Sequence, residues 1–246
     1  MNIIGVIPAR YESTRFPGKP LADINGKPMI WWVYNQVKKV KELSEVYVAT
    51  DDERIKTECE KYDIKVVMTK NTHPEHISRI HEVSNKIDAD LYICINGDEP
   101  LIDNNSISTV INEAINSPAF FTGAFRYLND PAETIDNANL KIVTNHLDEM
   151  VYISRTPVPN PKGTLLFKYK KYVGIECFTK EALDFFVSTP MGVLEKIEDI
   201  DHLRFIENHK VLKFKEIQSK SISVDTPKDL EKVRELLKAS DSNHFG

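Results

Sequence analysis

Three cations, Arg10, Arg15 and Lys19, fall within ten residues in the run Arg10-Tyr11-Glu12-Ser13-Thr14-Arg15-Phe16-Pro17-Gly18-Lys19-Pro20. Two forked guanidiniums and one ammonium suit a polyphosphate better than a single carboxylate. The stretch contains no Gly-x-x-x-x-Gly-Lys-Ser/Thr and no Gly-x-Gly-x-x-Gly, so it is neither a Walker A loop nor a dinucleotide fingerprint. Two aspartates offer complementary chemistry: Asp98 in Gly97-Asp98-Glu99-Pro100 and Asp225 in Val224-Asp225-Thr226-Pro227. A magnesium ion is commonly held by one or two carboxylates together with substrate phosphates. Two aspartates at the C-terminal ends of neighbouring strands could supply that pair. Each feature also has a plainer use. Most basic loops are solvated surface, Asp98 could close a turn, and Asp225 could cap the helix that follows it.

The elements around these residues decide between the two uses. The apolar run 3–7 has the pattern of a buried strand and stops at Pro8. The next helical pattern begins only near Pro28, so a long basic loop leaves the end of the first strand, where ligands bind in an open α/β sheet. Asn25-Gly26 marks a turn, and 28–40 reads as a helix with Ile30, Val33, Tyr34 and Val37 on one face. Strands over 45–50, 64–68 and 91–95 alternate with helices from Asp51-Asp52 to about Tyr62, over 76–87 and over 104–116. This alternation predicts parallel βαβ units and an α/β fold whose sheet is mostly parallel. Beyond residue 116, strand-like stretches at 120–127, 140–144, 150–154 and 169–178 predict a mixed sheet with antiparallel insertions. Pro157, Pro159, Pro161 and Gly163 mark a loop expected over the site. Helices return at 179–187 and 194–208, a strand ends at Val224, and a last helix runs to about Ala239. No repeat or linker intervenes. The expectation is one domain, 1–239, with a mostly parallel half of about 1–116, insertions over about 117–208, and a polar tail at 240–246.

The totals exclude several classes. A net charge of -5 and a pI near 5.8 argue against a nucleic-acid partner, so the basic loop is a local feature suited to a small anion. No stretch approaches the roughly 18 apolar residues of a membrane span, and no cationic segment with an apolar run behind it opens the chain. A membrane partner is therefore not expected. Cys59, Cys94 and Cys177 show no Cys-x-x-Cys spacing and cannot all pair, which predicts a reduced, cytoplasmic protein.

The run Ile7-Pro8-Ala9-Arg10-Tyr11-x-Ser13-Thr14-Arg15-x-Pro17-Gly18-Lys19-Pro20-Leu21 resembles the nucleotide-binding loop of the CMP-KDO synthetases, the 3-deoxy-manno-octulosonate cytidylyltransferases. Asn96-Gly97-Asp98-Glu99-Pro100 is similar to that family's Gln-Gly-Asp-Glu-Pro, and Val224-Asp225-Thr226-Pro227-Lys228-Asp229-Leu230 to its C-terminal Val-Asp-Thr-Pro-Glu-Asp-Leu. Val48-Ala49-Thr50-Asp51, Val67-Met68-Thr69, Lys141, Ser154-Arg155 and Leu194-Glu195 match in the same order, so the resemblance spans nearly the whole chain. It implies a three-layer Rossmann-like nucleotidyltransferase fold with a nucleotide-binding half of about 1–116 and sugar-binding and dimerisation insertions over about 117–208, a homodimer, and transfer of CMP from CTP to an acidic sugar with release of pyrophosphate. The product would serve lipopolysaccharide or capsule synthesis. By the same resemblance Arg10, Arg15 and Lys19 would hold the triphosphate, and Asp98 and Asp225 the Mg²⁺. The cytosine would lie near Pro8, Ala9, Thr69 and Lys70, and the ribose near Asn96 and Gly97. Arg79, Arg155 and Glu195 would face the sugar acid, a guanidinium taking a carboxylate bidentately.

The pattern breaks on the sugar side. The family's His-x-Ser-Gly-Thr-x-Arg reads His73-Pro74-Glu75-His76-Ile77-Ser78-Arg79, and its His-x-Gly-Ile-Tyr reads Tyr172-Val173-Gly174-Ile175-Glu176. Glu75 and Glu176 add negative charge where a carboxylated sugar would dock, and like charges in a closed site are costly. An amino-bearing substrate such as 8-amino-KDO would relieve that repulsion. The alternative is that both glutamates, with His76, point to solvent and the substrate is plain KDO. His73, His76 and His81 lack the spacing for a shared helical face, and Ser13, Ser78 and Ser154 show no His/Asp order of a nucleophilic triad. Two other classes stay open. A sugar-1-phosphate nucleotidylyltransferase would carry a glycine-rich opening loop, and a non-catalytic nucleotide binder would not need Lys19, Asp98 and Asp225.

Overall fold

The computed structural model describes residues 1–12, 16–164, 166–219 and 221–242. Arg15 and Ser13 of the basic loop, and the end of the expected tail at 243–246, lie outside the described residues. The chain divides into two compact units, residues 1–107 with 219–246, and residues 108–218. The boundary falls inside the helix expected over 104–116.

The first unit is built on four parallel strands in the order β6-β1-β4-β5: β1 (Ile3–Ala9), β4 (Glu45–Thr50), β5 (Val66–Met68) and β6 (Leu91–Ile95). β1 and β6 are apolar along nearly their whole length because both faces are covered, as parallel strands require. Register pairs Ile7 with Val48 and Ile4 with Tyr92. Helices α1 (Met29–Val37), α2 (Glu53–Glu60) and α3 (His76–Ser84) pack against these strands. α1 buries Met29, Ile30, Val33, Tyr34 and Val37, the face expected with one residue added. Asp52 caps α2 by accepting from the Arg54 amide at 2.8 Å. The expected basic loop is more ordered than its sequence suggested. It contains a 3-10 turn at Lys19–Leu21 and a short hairpin of β2 (Asp23–Ile24) and β3 (Lys27–Pro28) around the expected Asn25-Gly26 turn.

Helix α4 (Asn104–Asn116) carries the chain into the second unit, whose strands are β7 (Phe121–Tyr127), β8 (Lys141–Thr144), β9 (Met150–Ser154), β10 (Lys170–Phe178) and β11 (Leu212–Glu216). β10 runs antiparallel to β7 and β8, β8 antiparallel to β9, and β11 parallel to β7, which is the mixed sheet expected here. A short helix α5 (Pro131–Ile135), not expected, is started by Asp130 accepting from the Ala132 amide at 2.8 Å. Phe121 anchors the core, its ring 4.8 Å from Phe178, 5.7 Å from Phe214 and 6.1 Å from Phe205.

Helix α6 (Lys180–Ser188) follows the expected 179–187 closely, but the helix expected over 194–208 is two. α7 (Val193–Glu198) ends at Asp199, which adopts φ 54°, and α8 (His202–Glu207) starts after it. The strand expected to end at Val224 is also corrected. β11 stops at Glu216, and the Val224 amide donates to the Asp98 carbonyl at 2.9 Å instead of joining a ladder. The last helix, α9 (Pro227–Ser242), belongs to the first unit and buries Leu230 and Val233 with Ile24, Met29 and Val224. Among the described residues no helix is long and apolar enough to cross a membrane.

Candidate active site

Lys19, Asp98 and Asp225 meet in the first unit. Gly18 adopts φ 70°, a conformation glycine reaches without strain, and its amide closes the loop on the Tyr11 carbonyl at 2.8 Å before Lys19 opens the 3-10 turn. Lys19 Nζ lies 2.7 Å from Asp98 Oδ2 and 3.7 Å from Asp225 Oδ1. Asp98 is held in the turn that follows β6. A Cβ on its neighbour Gly97 would stand 2.7 Å from the Pro8 carbonyl oxygen, so only glycine lets this turn approach the end of β1. The Val224–Asp98 backbone bond brings Asp225 alongside. Asp225 is not the helix cap that its position allowed. Thr226 and Asp229 cap α9 reciprocally, with Thr226 Oγ1 donating to Asp229 Oδ2 at 2.7 Å and the Asp229 amide to Thr226 Oγ1 at 3.3 Å.

One atom of this cluster is incomplete. Asp98 Oδ1 is buried and has no hydrogen-bond partner. Buried polar atoms are nearly always satisfied, so an open carboxylate oxygen beside a second carboxylate is a donor set that fits a hard divalent cation. The ammonium between the two carboxylates is also placed to meet phosphate oxygens.

The other residues expected around the nucleotide are distributed as follows. Pro8 and Ala9 end β1, and Arg10 Nη1 donates to the Pro74 carbonyl at 3.3 Å. Thr69 is buried, its amide bonded to the Thr50 carbonyl at 2.8 Å, and the Lys70 amide donates to Glu82 Oε2 at 2.8 Å. Asn96 follows β6 and accepts from the Glu99 amide at 3.3 Å. Arg79 is fully buried, donating from Nη1 to Thr69 Oγ1 at 2.5 Å and pairing with Asp51 at 3.3 Å, while its Nε and Nη2 have no hydrogen-bond partner.

Glu75 caps α3, accepting from the Ser78 amide at 3.2 Å and the Ser78 hydroxyl at 2.6 Å, and half-buried His76 is the first residue of that helix. His73 Nδ1 is 3.1 Å from Ser78 Oγ and its Nε2 2.5 Å from Glu82. A Ser–His–Glu line therefore exists here, contrary to the sequence reading. Ser78 donates its proton to Glu75, so His73 is not its general base, and both ring nitrogens of His73 are engaged rather than open to a metal. Burial alone would raise the Glu82 carboxyl, but hydrogen bonds from Lys86, His73 and the Lys70 amide outweigh it and bring it down to about 2.

In the second unit the expected sugar-side residues are largely spoken for. Glu195 is buried, and both its oxygens accept from Arg204, at 2.8 and 2.6 Å, which fixes it against that guanidinium. Arg155 donates from Nε to the Glu198 carbonyl and from Nη2 to the Asp199 carbonyl, each at 2.8 Å, while its side chain stays 40% exposed. Glu176 is buried rather than solvent-facing. It accepts from the Tyr172 hydroxyl at 2.6 Å and lies 2.6 Å from His202 Nε2, at a bulge in β10. Lys141 is buried as well, its ammonium collecting the carbonyls of Asp136, Asn139 and Arg155; burial lowers its pKa. His202, Arg204 and Glu198 were missed in sequence because nothing in their local pattern marks them. Their partners lie on other elements.

Residues 4–238 match the sequence profile of the family described as cytidylyltransferase. The 3-deoxy-manno-octulosonate cytidylyltransferase of Escherichia coli is 37% identical over 232 residues, covering 94% of each chain. The 8-amino-3,8-dideoxy-manno-octulosonate cytidylyltransferase of Shewanella baltica is 40% identical over 243 residues, covering 96% of this chain and 99% of its own. Among solved structures, CMP:2-keto-3-deoxy-manno-octonic acid synthetase complexed with CTP aligns with a TM-score of 0.93 at 35% identity, over 98% of this chain and 100% of that one. A glucose-1-phosphate thymidylyltransferase from Bacillus anthracis aligns at 0.69 with 14% identity, over 95% of this chain and 94% of that one, which shows a shared fold.

Proposed function

Because the chain belongs to the cytidylyltransferase family, whose members are CTP-dependent nucleotidyltransferases, we propose that it transfers CMP from CTP to an acidic sugar of the KDO type, releasing pyrophosphate for surface polysaccharide synthesis. The observation that carries this reading is the juxtaposition of Lys19 with Asp98 and Asp225, with one buried carboxylate oxygen left open. Attack of the sugar's anomeric hydroxyl on the α-phosphorus needs positioning and charge neutralisation more than a covalent intermediate. Lys19 and Arg10 take the triphosphate, Pro8, Ala9, Thr69 and Lys70 the base, and Asn96 and Gly97 the ribose. Asp98 and Asp225 would hold Mg²⁺, which when bound supplies Lewis acidity at phosphate and lowers the pKa of a nearby hydroxyl. Arg155 is assigned to the sugar carboxylate through the part of its guanidinium that is not held on backbone carbonyls. The enzyme is proposed to act in the cytoplasm as a homodimer, which sedimentation of the purified protein tests.

A second reading is that the substrate is 8-amino-KDO. The likeness to the Shewanella baltica protein favours it. Pyrophosphate release with CTP and Mg²⁺ over KDO, 8-amino-KDO, sialic-type acids and hexuronic acids separates the two. Turnover with KDO supports the first reading, and turnover confined to the amino sugar supports the second. Silence across the panel with CTP still bound would overturn the sugar half of both.

A further inference from the structure

Glu99 follows Asp98 directly, yet the chemistry above gives it no task. It is 8% exposed, and a buried carboxylate is costly unless it is hydrogen-bonded. Glu99 Oε2 accepts a short hydrogen bond from Ser221 Oγ, 122 residues away in sequence. The glutamate's backbone is fixed within its own turn, its amide donating to the Asn96 carbonyl at 3.3 Å and its carbonyl accepting from Ile102 at 3.0 Å. Ser221 lies in the segment that carries Asp225, and that segment is also tied to the turn by the Val224–Asp98 bond at 2.9 Å. Val224, with Ile222 beside it, also packs into the apolar cluster of Ile24, Met29 and Leu230, which holds the segment without giving it a direction. The Glu99–Ser221 bond adds a directional, charge-assisted tie at a second point.

We propose that Glu99 and Ser221 form a latch that sets the position of Asp225 relative to Asp98, and so sets the affinity of the pair for a divalent cation. Both are positioning residues. The proposal rests on the reading of Asp98 and Asp225 as metal ligands. Its arithmetic is modest: a hydrogen bond to a charged group can carry more than a tenfold effect, and a positioning role transmits part of it.

The test uses full-length protein with CTP and counts free Mn²⁺ by electron paramagnetic resonance, alongside the Mg²⁺ dependence of pyrophosphate release. Ser221→Ala should weaken Mn²⁺ binding about tenfold and raise the half-saturating Mg²⁺ concentration equally, with turnover at saturating Mg²⁺ within about twofold of the parent. Ser221→Thr, which keeps the hydroxyl, should restore both. Unchanged Mn²⁺ affinity in Ser221→Ala overturns the latch, as does a loss of turnover with no shift in metal dependence. Should Ser221→Ala not fold, Glu99→Gln replaces it. This variant keeps an acceptor oxygen without the charge and should show a shift of about threefold, and no shift overturns the latch. If Glu99→Gln abolishes Mn²⁺ binding as fully as Asp98→Asn, Glu99 is a ligand and the latch is wrong. Asp98→Asn and Asp225→Asn separate the two levels. If neither alters Mn²⁺ affinity the metal reading falls and the latch with it; if both do while Ser221→Ala does not, the latch alone falls.

Discussion

In the first unit a lysine stands between two aspartates at the end of the sheet; in the second an arginine grips a glutamate inside a helical layer. Lys19, Asp98 and Asp225 have side chains 16%, 22% and 32% exposed, and Asp98 Oδ1 has no partner. Arg204 and Glu195 are 9% and 1% exposed, joined by two hydrogen bonds, with the guanidinium stacked 3.8 Å over Phe186 and Nη1 on the Phe186 carbonyl at 2.9 Å. Both are opposite charges in close contact. What separates them is completeness. The second pair satisfies its donors and acceptors within the fold, whereas the first leaves a buried carboxylate oxygen open. Charge density alone does not mark a site.

The comparison predicts that damage to the closed pair appears as lost stability and damage to the open cluster as lost activity. Arg204→Leu should be the most severe. It strands Glu195 as a buried unpaired carboxylate, costing about 3–5 kcal/mol in denaturant unfolding, and CTP affinity of the surviving folded fraction should be unchanged. Lys19→Met should lower kcat/KM about 10²- to 10³-fold, as loss of one preorganised electrostatic group does, with a loss of stability well below that of Arg204→Leu because Asp98 and Asp225 stay partly solvated. A comparable fall in stability for Lys19→Met would erase the distinction between the two clusters.

A smaller effect sits at Glu82. Its folded pKa of about 2 lies below the ordinary 4.5, so its contribution is fully present above pH 4.5 and is lost as pH falls from there towards 2. The difference corresponds to at most about 3 kcal/mol. Glu82→Gln should therefore narrow the stability gap between pH 6 and pH 3 in urea titrations, and an unaltered acid profile would show that Lys86 and His73 contribute little. The smallest effect concerns the cysteines. All three are buried, and burial pushes the Cys59 and Cys177 thiols up to about 12. Thiol reagents should label the native enzyme no faster than it unfolds, without loss of CTP binding beforehand.

The first unit was legible because its rules are local. β1 and β6 are unbroken apolar runs bounded by turn residues, and Lys19, Asp98 and Asp225 stand in motifs whose order could be read directly. What was missed shares a cause. Arg79 and Glu195 were expected at a substrate by resemblance, and their burial depends on Asp51, Thr69 and Arg204, whose proximity no local pattern reports. The break at Asp199 carries neither glycine nor proline, and the left-handed turn there is one that aspartate tolerates without advertising it. Ile222 to Val224 alternates like a strand, but its place is decided by a bond to Asp98, on the other side of the chain's second unit in sequence.

Lys19 also has a consequence for handling and storage. Two facing carboxylates would normally repel and loosen the segments that carry them when no ion is bound. Here the chain brings its own cation, which offsets one of the two negative charges before any metal arrives. Prolonged dialysis against a chelator should therefore leave the thermal midpoint where it was and the protein ready to bind CTP, with activity returning when Mg²⁺ is restored and no refolding step needed.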